Sequence, residues 1–418
     1  MGVKKVFSNI RNSAIIGYAM KTFAFLACLA LVLVTCHPET EELVPERTVF
    51  KCFITLEGAT QDGEYRVVLK DDSTGELVDS RKIPIGQEVT FDSRKKLAGG
   101  KLAITIVFSV PTYVSLKVYT GIPVGSKWTV GGDNVVVLDP GQMKGQFTVI
   151  VDDVPGVRAY SVSDKYGQHG DTGYSYGSTL VGRHYALYNQ SLKQLVAVNA
   201  GGIPRYQILT EVSPGSTFLF AYNTMTVFPK TFQITFPYSS SILGTVMGYE
   251  GTPSTANSYT VYDNTKWPSG QKGASLTIGL LDIFTNYKID LEIGSFHYHS
   301  LGPLPSSIKY IPPGNFKISN RAMTNFLINT TESYSYSKSR YGAVGFDIEY
   351  ISPAGQQIRV DPLTEELAEQ FGFIADDIKY FSTDIYMLES YSDYLSNTFD
   401  APQDPSRPYT RASVRIIE

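Results

Sequence analysis

The hexapeptide YVSLKV, Tyr113–Val118, alternates apolar and polar residues without a break. Successive side chains of a strand point to opposite faces, so Val114, Leu116 and Val118 share one face while Ser115 and Lys117 take the other. The same period recurs to either side. Lys101–Val110 is a long strand candidate, Val135–Leu138 and Phe147–Val151 are shorter ones, and Phe346-Asp347-Ile348-Glu349-Tyr350 turns its acids out and its apolar residues in. The 36 glycines and 22 prolines punctuate these runs as turns require. The 28 tyrosines and 22 phenylalanines suit half-buried pleated surfaces. Short strands at this spacing predict an all-β chain of tandem β-sandwich domains, Ig-like or transthyretin-like, rather than alternating βαβ units.

One helix interrupts the pattern. Asp361 can cap it, Pro362 suits its first position, Leu363, Leu367 and Phe371 fall four apart on one face, and Gly372 supplies a left-handed stop. A short helix near 362–371 is therefore expected. VVLKDDSTGE from Val67, YSVSDKYGQ from Tyr160, YTVYDNTKWPSG from Tyr259 and IEYISPAGQ from Ile348 each give a strand and then a polar turn with glycine. Their starts lie about 90–100 residues apart, about one sandwich per period. This places one sandwich over 47–140, a second over 141–240, and β-rich structure with the helix over 241–418. The last segment, Arg411–Glu418, reads as a strand open to pairing with a neighbouring subunit.

The front of the chain bears on its place in a cell. Lys21 precedes an uncharged run from Thr22 to Thr35, shorter than the roughly 20 apolar residues a membrane span takes and matching the n- and h-regions of a secretory signal. The run ends in Leu33-Val34-Thr35-Cys36, which resembles the lipobox of bacterial lipoproteins. That resemblance implies cleavage before Cys36, so that 1–35 is a signal peptide, and acylation of the Cys36 thiol. Thr35 departs from the small Gly, Ala or Ser usual there. Residues 1–19, with Lys4, Lys5 and Arg11, read as an extended n-region or as sequence upstream of a start at Met20. His37-Pro38-Glu39-Thr40-Glu41-Glu42 cannot pack, which makes 36–46 a solvated tether. An acidic run behind the lipidated cysteine also resembles the surface-export signal of Bacteroidota lipoproteins. The implied partner is the outer membrane, reached through a lipid anchor at the cell surface.

A hydrophobic content of 43% supports a globular body. Loss of residues 1–35, which hold four basic residues and no acid, takes the net charge from −4 to −8. An acidic chain without a basic stripe is not built for nucleic acid. Of three cysteines, Cys28 leaves with the signal and Cys36 carries lipid. Cys52, within Val49–Ile54, is left as a small core residue, and no disulfide framework remains.

Candidate chemistry is sparse. His297-Tyr298-His299 is the one close histidine pair, and residues two apart on a strand could meet one metal ion. In YKIDLEIGSFHYH an unbroken strand would bury both imidazoles, whereas a bulge at Gly294-Ser295 would turn Phe296 and Tyr298 inward and the histidines out. No third ligand is identifiable from spacing. Gly173-Tyr174-Ser175-Tyr176-Gly177 spells the pattern of a nucleophile elbow but lacks the strand before and helix after that the motif needs. Asp152-Asp153 and Asp376-Asp377 lack the spaced oxygens of a calcium loop. Asp72-Ser73-Thr74 resembles the short O-glycosylation motif of Bacteroidota. More suggestive are two tyrosine-rich segments, Tyr166–Ser178 and Glu332–Gly342, read as loops. Rigid aromatics among small polar residues make adaptable binding faces and stack on sugar rings.

The expectation is thus a non-catalytic, surface-exposed lipoprotein without a cofactor. It would bind an extracellular glycan or protein through Tyr174, Tyr176, Tyr334, Tyr336 and Tyr341. The alternatives are an anchor or accessory subunit of a fimbria-like assembly, resting on the terminal strand, and a glycan hydrolase. The last would need two carboxylates facing one cleft, with Glu349, Asp347 and Glu292 as nominal candidates.

Overall fold

The computed structural model describes residues 45–55, 63–131, 141–167, 174–188, 193–253, 257–265, 271–323, 325–356, 363–399 and 406–417. Cys36 and most of the tether lie outside these, as do Val135–Leu138. Two units are distinguished. One takes in Met1–Arg47 and Arg94–Lys96, the other Thr48–Ser93 and Leu97–Glu418. Within the first, Arg94 donates to Glu46 at 2.9 Å. All that follows concerns the second.

The first sandwich is built from β1 (Arg47–Ile54), β2 (Glu64–Asp71), β3 (Leu77–Lys82), β4 (Glu88–Ser93), β5 (Lys101–Val110), β6 (Tyr113–Pro123) and β7 (Ser126–Val130). Sheet β4-β1-β7 closes over β3-β2-β5-β6, and Phe50, Leu69, Phe91, Leu102 and Trp128 fill the space between. Cys52 is buried there, and burial pushes its thiol up to about 12.

The second sandwich comprises β8 (Met143–Asp152), β9 (Val157–Ser163), β10 (Tyr174–Tyr176), β11 (Thr179–Tyr188), β12 (Lys193–Ala200), β13 (Ile203–Thr210), β14 (Thr217–Ala221) and β15 (Thr226–Val227). Sheets β10-β11-β8-β14 and β15-β13-β12-β9 enclose Phe147, Val149, Leu180, Tyr185 and Val196.

The remainder holds β16 (Lys230–Tyr249), β17 (Ser258–Asp263), β18 (Gln271–Leu280), β19 (Asn286–Ile293), β20 (Phe296–Gly302), β21 (Phe316–Asn320), β22 (Leu327–Thr330), β23 (Tyr336–Ala343), β24 (Phe346–Pro353), α1 (Thr364–Phe371), β25 (Lys379–Met387), α2 (Tyr391–Phe399) and β26 (Tyr409–Ile417). Its strands do not form a third free-standing sandwich. They run β17-β16-β19-β20-β26-β25-β23-β24, with β18 beside β16, and continue into β6-β5-β2-β3. The join is a parallel pairing of β24 with β6, Ile348 opposite Leu116.

The chain is all-β, as the alternation predicts, with two α-helices among the described residues. Val114, Leu116 and Val118 are fully buried, each such burial contributing about 1.5–3 kcal/mol. They pack with Ile348, Phe326 and Leu367 of α1 rather than in the first sandwich. The strand's other face supplies that core, through Tyr119. The boundary expected near 241 falls inside β16, because a single 20-residue strand serves β18 along its first part and β17 and β19 along its second.

The helix ends at Gly372 as expected, with φ +73 and its N–H bonded to Ala368 O. At its start the residue before Thr364 is Leu363, left-handed at φ +67 and without a side-chain cap; Asp361 and Pro362 lie outside the described residues. The terminal strand needs correction too. Residues 409–417 form β26, paired with β20 on one side and β25 on the other, so it is an interior strand with no open edge.

Candidate binding groove

Four segments, from three parts of the chain, meet at one end of the large sheet. The β23–β24 hairpin turns through Val344 and Gly345, closed by the pair Ala343–Phe346, with Gly345 at φ +75. The Gly345 carbonyl accepts the Val114 N–H at 2.9 Å, tying this tip to the start of β6. A side chain at position 345 would come within 3.0 Å of the Thr112 carbonyl, so the close approach needs glycine. Beside the hairpin, β25 carries a bulge. Arg340 pairs with Ser382 and Tyr341 with Tyr380, leaving Phe381 as the extra residue. Bulges re-aim side chains in this way, and Phe381 lies over Gly342, where a Cβ would sit 2.8 Å from its ring. The fourth segment follows α1. Phe373 stacks on Phe346 at 4.1 Å, and Ile374 then projects before the turn Ala375–Asp377.

The result is a groove of about 850 Å³ between Tyr113, Val344, Phe373, Ile374 and Phe381, with Asp377 and Lys379 among its polar lining. Its apolar residues face solvent: Val344 is 97%, Ile374 63% and Phe381 54% exposed. Strand β1 enters the first sandwich at the other end. The Val49 carbonyl accepts the N–H of Gly125, just past the end of β6, and Ile54 five residues on accepts that of Gly86. The groove begins where β6 starts, so chain entry and groove lie at opposite ends of that sandwich.

At the far end, β23 and β25 look quite different. Tyr336 stacks between Tyr386 (4.5 Å) and Tyr394 of α2 (4.7 Å). Its hydroxyl donates to Glu389 at 2.7 Å. Arg411 clamps the same carboxylate at 2.6 and 2.8 Å, and Asn397 donates at 3.1 Å. Burial alone would raise the Glu389 carboxyl, but these donors hold it below its ordinary value. Lys338 lies over the Tyr394 and Tyr386 rings at 4.3 and 5.1 Å, and burial lowers its ammonium to about 8. The neighbouring carboxylates are engaged elsewhere, Asp384 by Arg415 and Glu349 by Arg340.

The five tyrosines expected to bind differ in their surroundings. Tyr336 and Tyr341 are buried strand residues, Tyr334 is half-buried, and only Tyr176 among the described side chains is well exposed, at 82%. The Tyr174 and Ser175 side chains lie outside the described residues; their backbone forms β10, which turns through Gly177 (φ +61) into β11. A hairpin rather than a strand–helix elbow surrounds Ser175.

Gly294 and Ser295 prove to be the turn of the β19–β20 hairpin, Ile293 opposite Phe296. Phe296 and Tyr298 face inward, and the half-buried His299 and His297 meet Asp290 (2.7 Å) and Glu292 (3.9 Å). No group of three metal-ligating side chains occurs among the described residues. Glu349 is bound by Arg340, and Asp347 accepts from Ser115 at 3.0 Å. Glu292 lies five strands from Glu349, about 24 Å at ordinary strand spacing, against the roughly 5–9.5 Å of a glycosidase pair. Asp152 accepts from Thr179 and Asp153 sits at φ +57. Ser73, exposed in the β2–β3 turn, donates its hydroxyl to Asp71 at 2.6 Å.

No helix among the described residues is long and apolar enough to cross a membrane. No protein-family model and no curated protein matches the chain. Among solved structures, extracellular domains 3–5 of Drosophila OTK align at 8% identity over 59% of this chain and 93% of that chain, with a TM-score of 0.11. A score that low carries no argument about this chain.

Proposed function

We propose that this chain is a non-catalytic, lipid-anchored protein of the bacterial outer membrane, exposed at the cell surface, whose groove binds an apolar segment of an extracellular protein. The observation that carries this reading is the exposure of Val344, Ile374 and Phe381 around one cavity, on a frame of four segments. Contiguous apolar surface rimmed by polar groups is typical of interaction sites. A sugar would use the Phe381 ring but gain little from the aliphatic Val344 and Ile374; a protein segment uses all three. The anchor rests on the resemblance of Leu33–Cys36 to a lipobox and on the acidic tether behind it. Chain entry remote from the groove suits that arrangement.

Short random peptides displayed on phage, panned against the full chain, are the direct probe, with a glycan array alongside. We expect enriched peptides rich in apolar residues that no longer bind a Val344→Asp, Phe381→Ser double variant. Enriched peptides that bind this variant equally well would remove the groove from the proposal. Glycan capture lost in the variant would move the ligand to the sugar class. Protease shaving of intact cells tests the location, with Cys36→Ala expected to release the protein from the membrane.

A further inference from the structure

Strand edges expose unpaired N–H and C=O groups, and proteins blunt them with charge, proline, bulges, short strands or a cover. Most sheet ends here are blunted. β3 carries Asp79, Arg81 and Lys82, β4 Glu88 and Asp92, and β7 Lys127. β10 and β15 run for three and two residues. β9 lies against β17, with Ser161 donating to the Thr260 carbonyl.

Among the described residues, β14 shows none of these devices. Its sequence, Thr217-Phe218-Leu219-Phe220-Ala221, holds no charge and no proline, and it pairs only with β8. The Thr148 N–H bonds the Ser216 carbonyl. By the alternation of a parallel ladder, Phe218 and Phe220 then direct their backbone groups toward β8, while Thr217 and Leu219 direct theirs outward. Leu219 is 65% exposed, and the core-facing Phe218 and Phe220 are only partly buried. Among the described residues, the second sandwich is open along this flank.

We infer that β14 is a self-association edge that pairs antiparallel with β14 of a second copy about a two-fold axis through Leu219. Phe218-Leu219-Phe220 reads the same in both directions. Antiparallel pairing therefore sets Leu219 against the second copy's Leu219 and Phe218 against its Phe220, an apolar match with no like charges facing. The outward N–H and C=O of Leu219 are those that a hydrogen-bonded antiparallel pair exchanges. The two β10-β11-β8-β14 sheets become one sheet continuous across the dimer, and the partly buried phenylalanines gain further cover. This inference does not depend on the ligand groove.

Sedimentation equilibrium of the full chain in density-matched detergent is the test. The wild-type chain should sediment as a concentration-dependent dimer, and Leu219→Lys, which adds a charge to an already exposed edge, as a monomer. Unchanged circular dichroism and melting would show that the variant is folded, and Tyr176→Lys, on the opposite edge of the same sheet, should leave the dimer intact. Leu219→Pro removes only an outward N–H and should also abolish the dimer, which covers any misfolding of the lysine variant. A wild-type chain that stays monomeric, or a dimer that survives both Leu219 substitutions, would overturn the inference.

Discussion

Strands β23 and β25 end in two opposite ways. At the Tyr336–Tyr386 end, α2 lies across the sheet, and the Glu389 carboxylate beneath it receives donors from Tyr336, Asn397 and Arg411. At the Ala343–Phe381 end, α1 shares a core with Tyr341, Phe346 and Tyr380, and the residues that project beyond it are a valine, an isoleucine and a phenylalanine. The contrast separates two uses of one pair of strands. A covered polar group has no water to fall back on, so the fold must satisfy it internally. An uncovered apolar side chain costs the fold little but leaves unspent the roughly 1.5–3 kcal/mol that full burial of such a residue can yield. The first end is built for stability; under the proposed function, the second leaves its apolar area for a partner to cover.

The sharpest way to break this comparison is to open the covered end. Glu389→Ala leaves Arg411 with its charge largely buried and takes away the acceptor of Tyr336. Removing one partner of such a buried pair costs about 3–5 kcal/mol. Urea denaturation should show that loss, while peptide capture at the groove survives wherever the variant stays folded. A loss below about 1 kcal/mol, the range of exposed pairs, would mean that α2 does not seal this end.

The junction between the two ends comes next. Gly342 lies under the Phe381 ring, and an added Cβ would meet Phe381 Cε2 at 2.8 Å and the Phe346 carbonyl at 2.9 Å. The ring can swing away but the carbonyl cannot, so Gly342→Ala should cost about 1–3 kcal/mol, as overpacking does. It should also shift the groove's peptide preference, because Phe381 forms one of its walls. Unchanged stability and preference together would show that Phe381 is not held by the backbone beneath it.

These regions were not equally legible in the amino-acid sequence. Alternation at Tyr113–Val118 found a buried strand face because its period is local and both faces have a definite neighbour. Tyr336 and Tyr341 read as loop residues in sequence because the segment around them has both faces buried, one under α2 and one against Tyr350 and Tyr380. A strand covered on both sides loses the clean period. The helix α2 left a legible trace that went unread. Ser390 and Asp393 form a capping pair, the Asp393 N–H bonding Ser390 Oγ at 3.0 Å. Tyr391, Tyr394, Leu395 and Phe399 then follow at helical spacing and pack into the first core. The groove left no such trace, since it depends on a bulge at Phe381 and on segments from three parts of the chain. Its residues, read in order, are ordinary turn and strand-end residues.

The smallest effect tests the covered end through Lys338, whose neighbouring carboxylates are engaged by Arg415 and Arg340. Burial lowers Lys338 to about 8, against about 10.4 for an ordinary lysine. Below pH 8 both folded and unfolded chains carry this charge, and the folded state bears the full cost of burying it. Between about pH 8 and 10.4 the unfolded chain binds more protons than the folded one, so stability rises with pH. Lys338→Met keeps the stem over the tyrosine rings and removes the charge. It should be more stable than the wild-type chain at pH 7, by about 1–2 kcal/mol after allowance for partial solvation, with the gap closing toward pH 10. The buried tyrosines, raised by burial, pull stability the other way above pH 10 but do so in both proteins and cancel in the difference. Urea denaturation of the pair at pH 7, 8, 9 and 10 resolves the trend. A gap that stays flat or widens would mean that Lys338 reaches water and that α2 covers this end less tightly than its stacked rings imply.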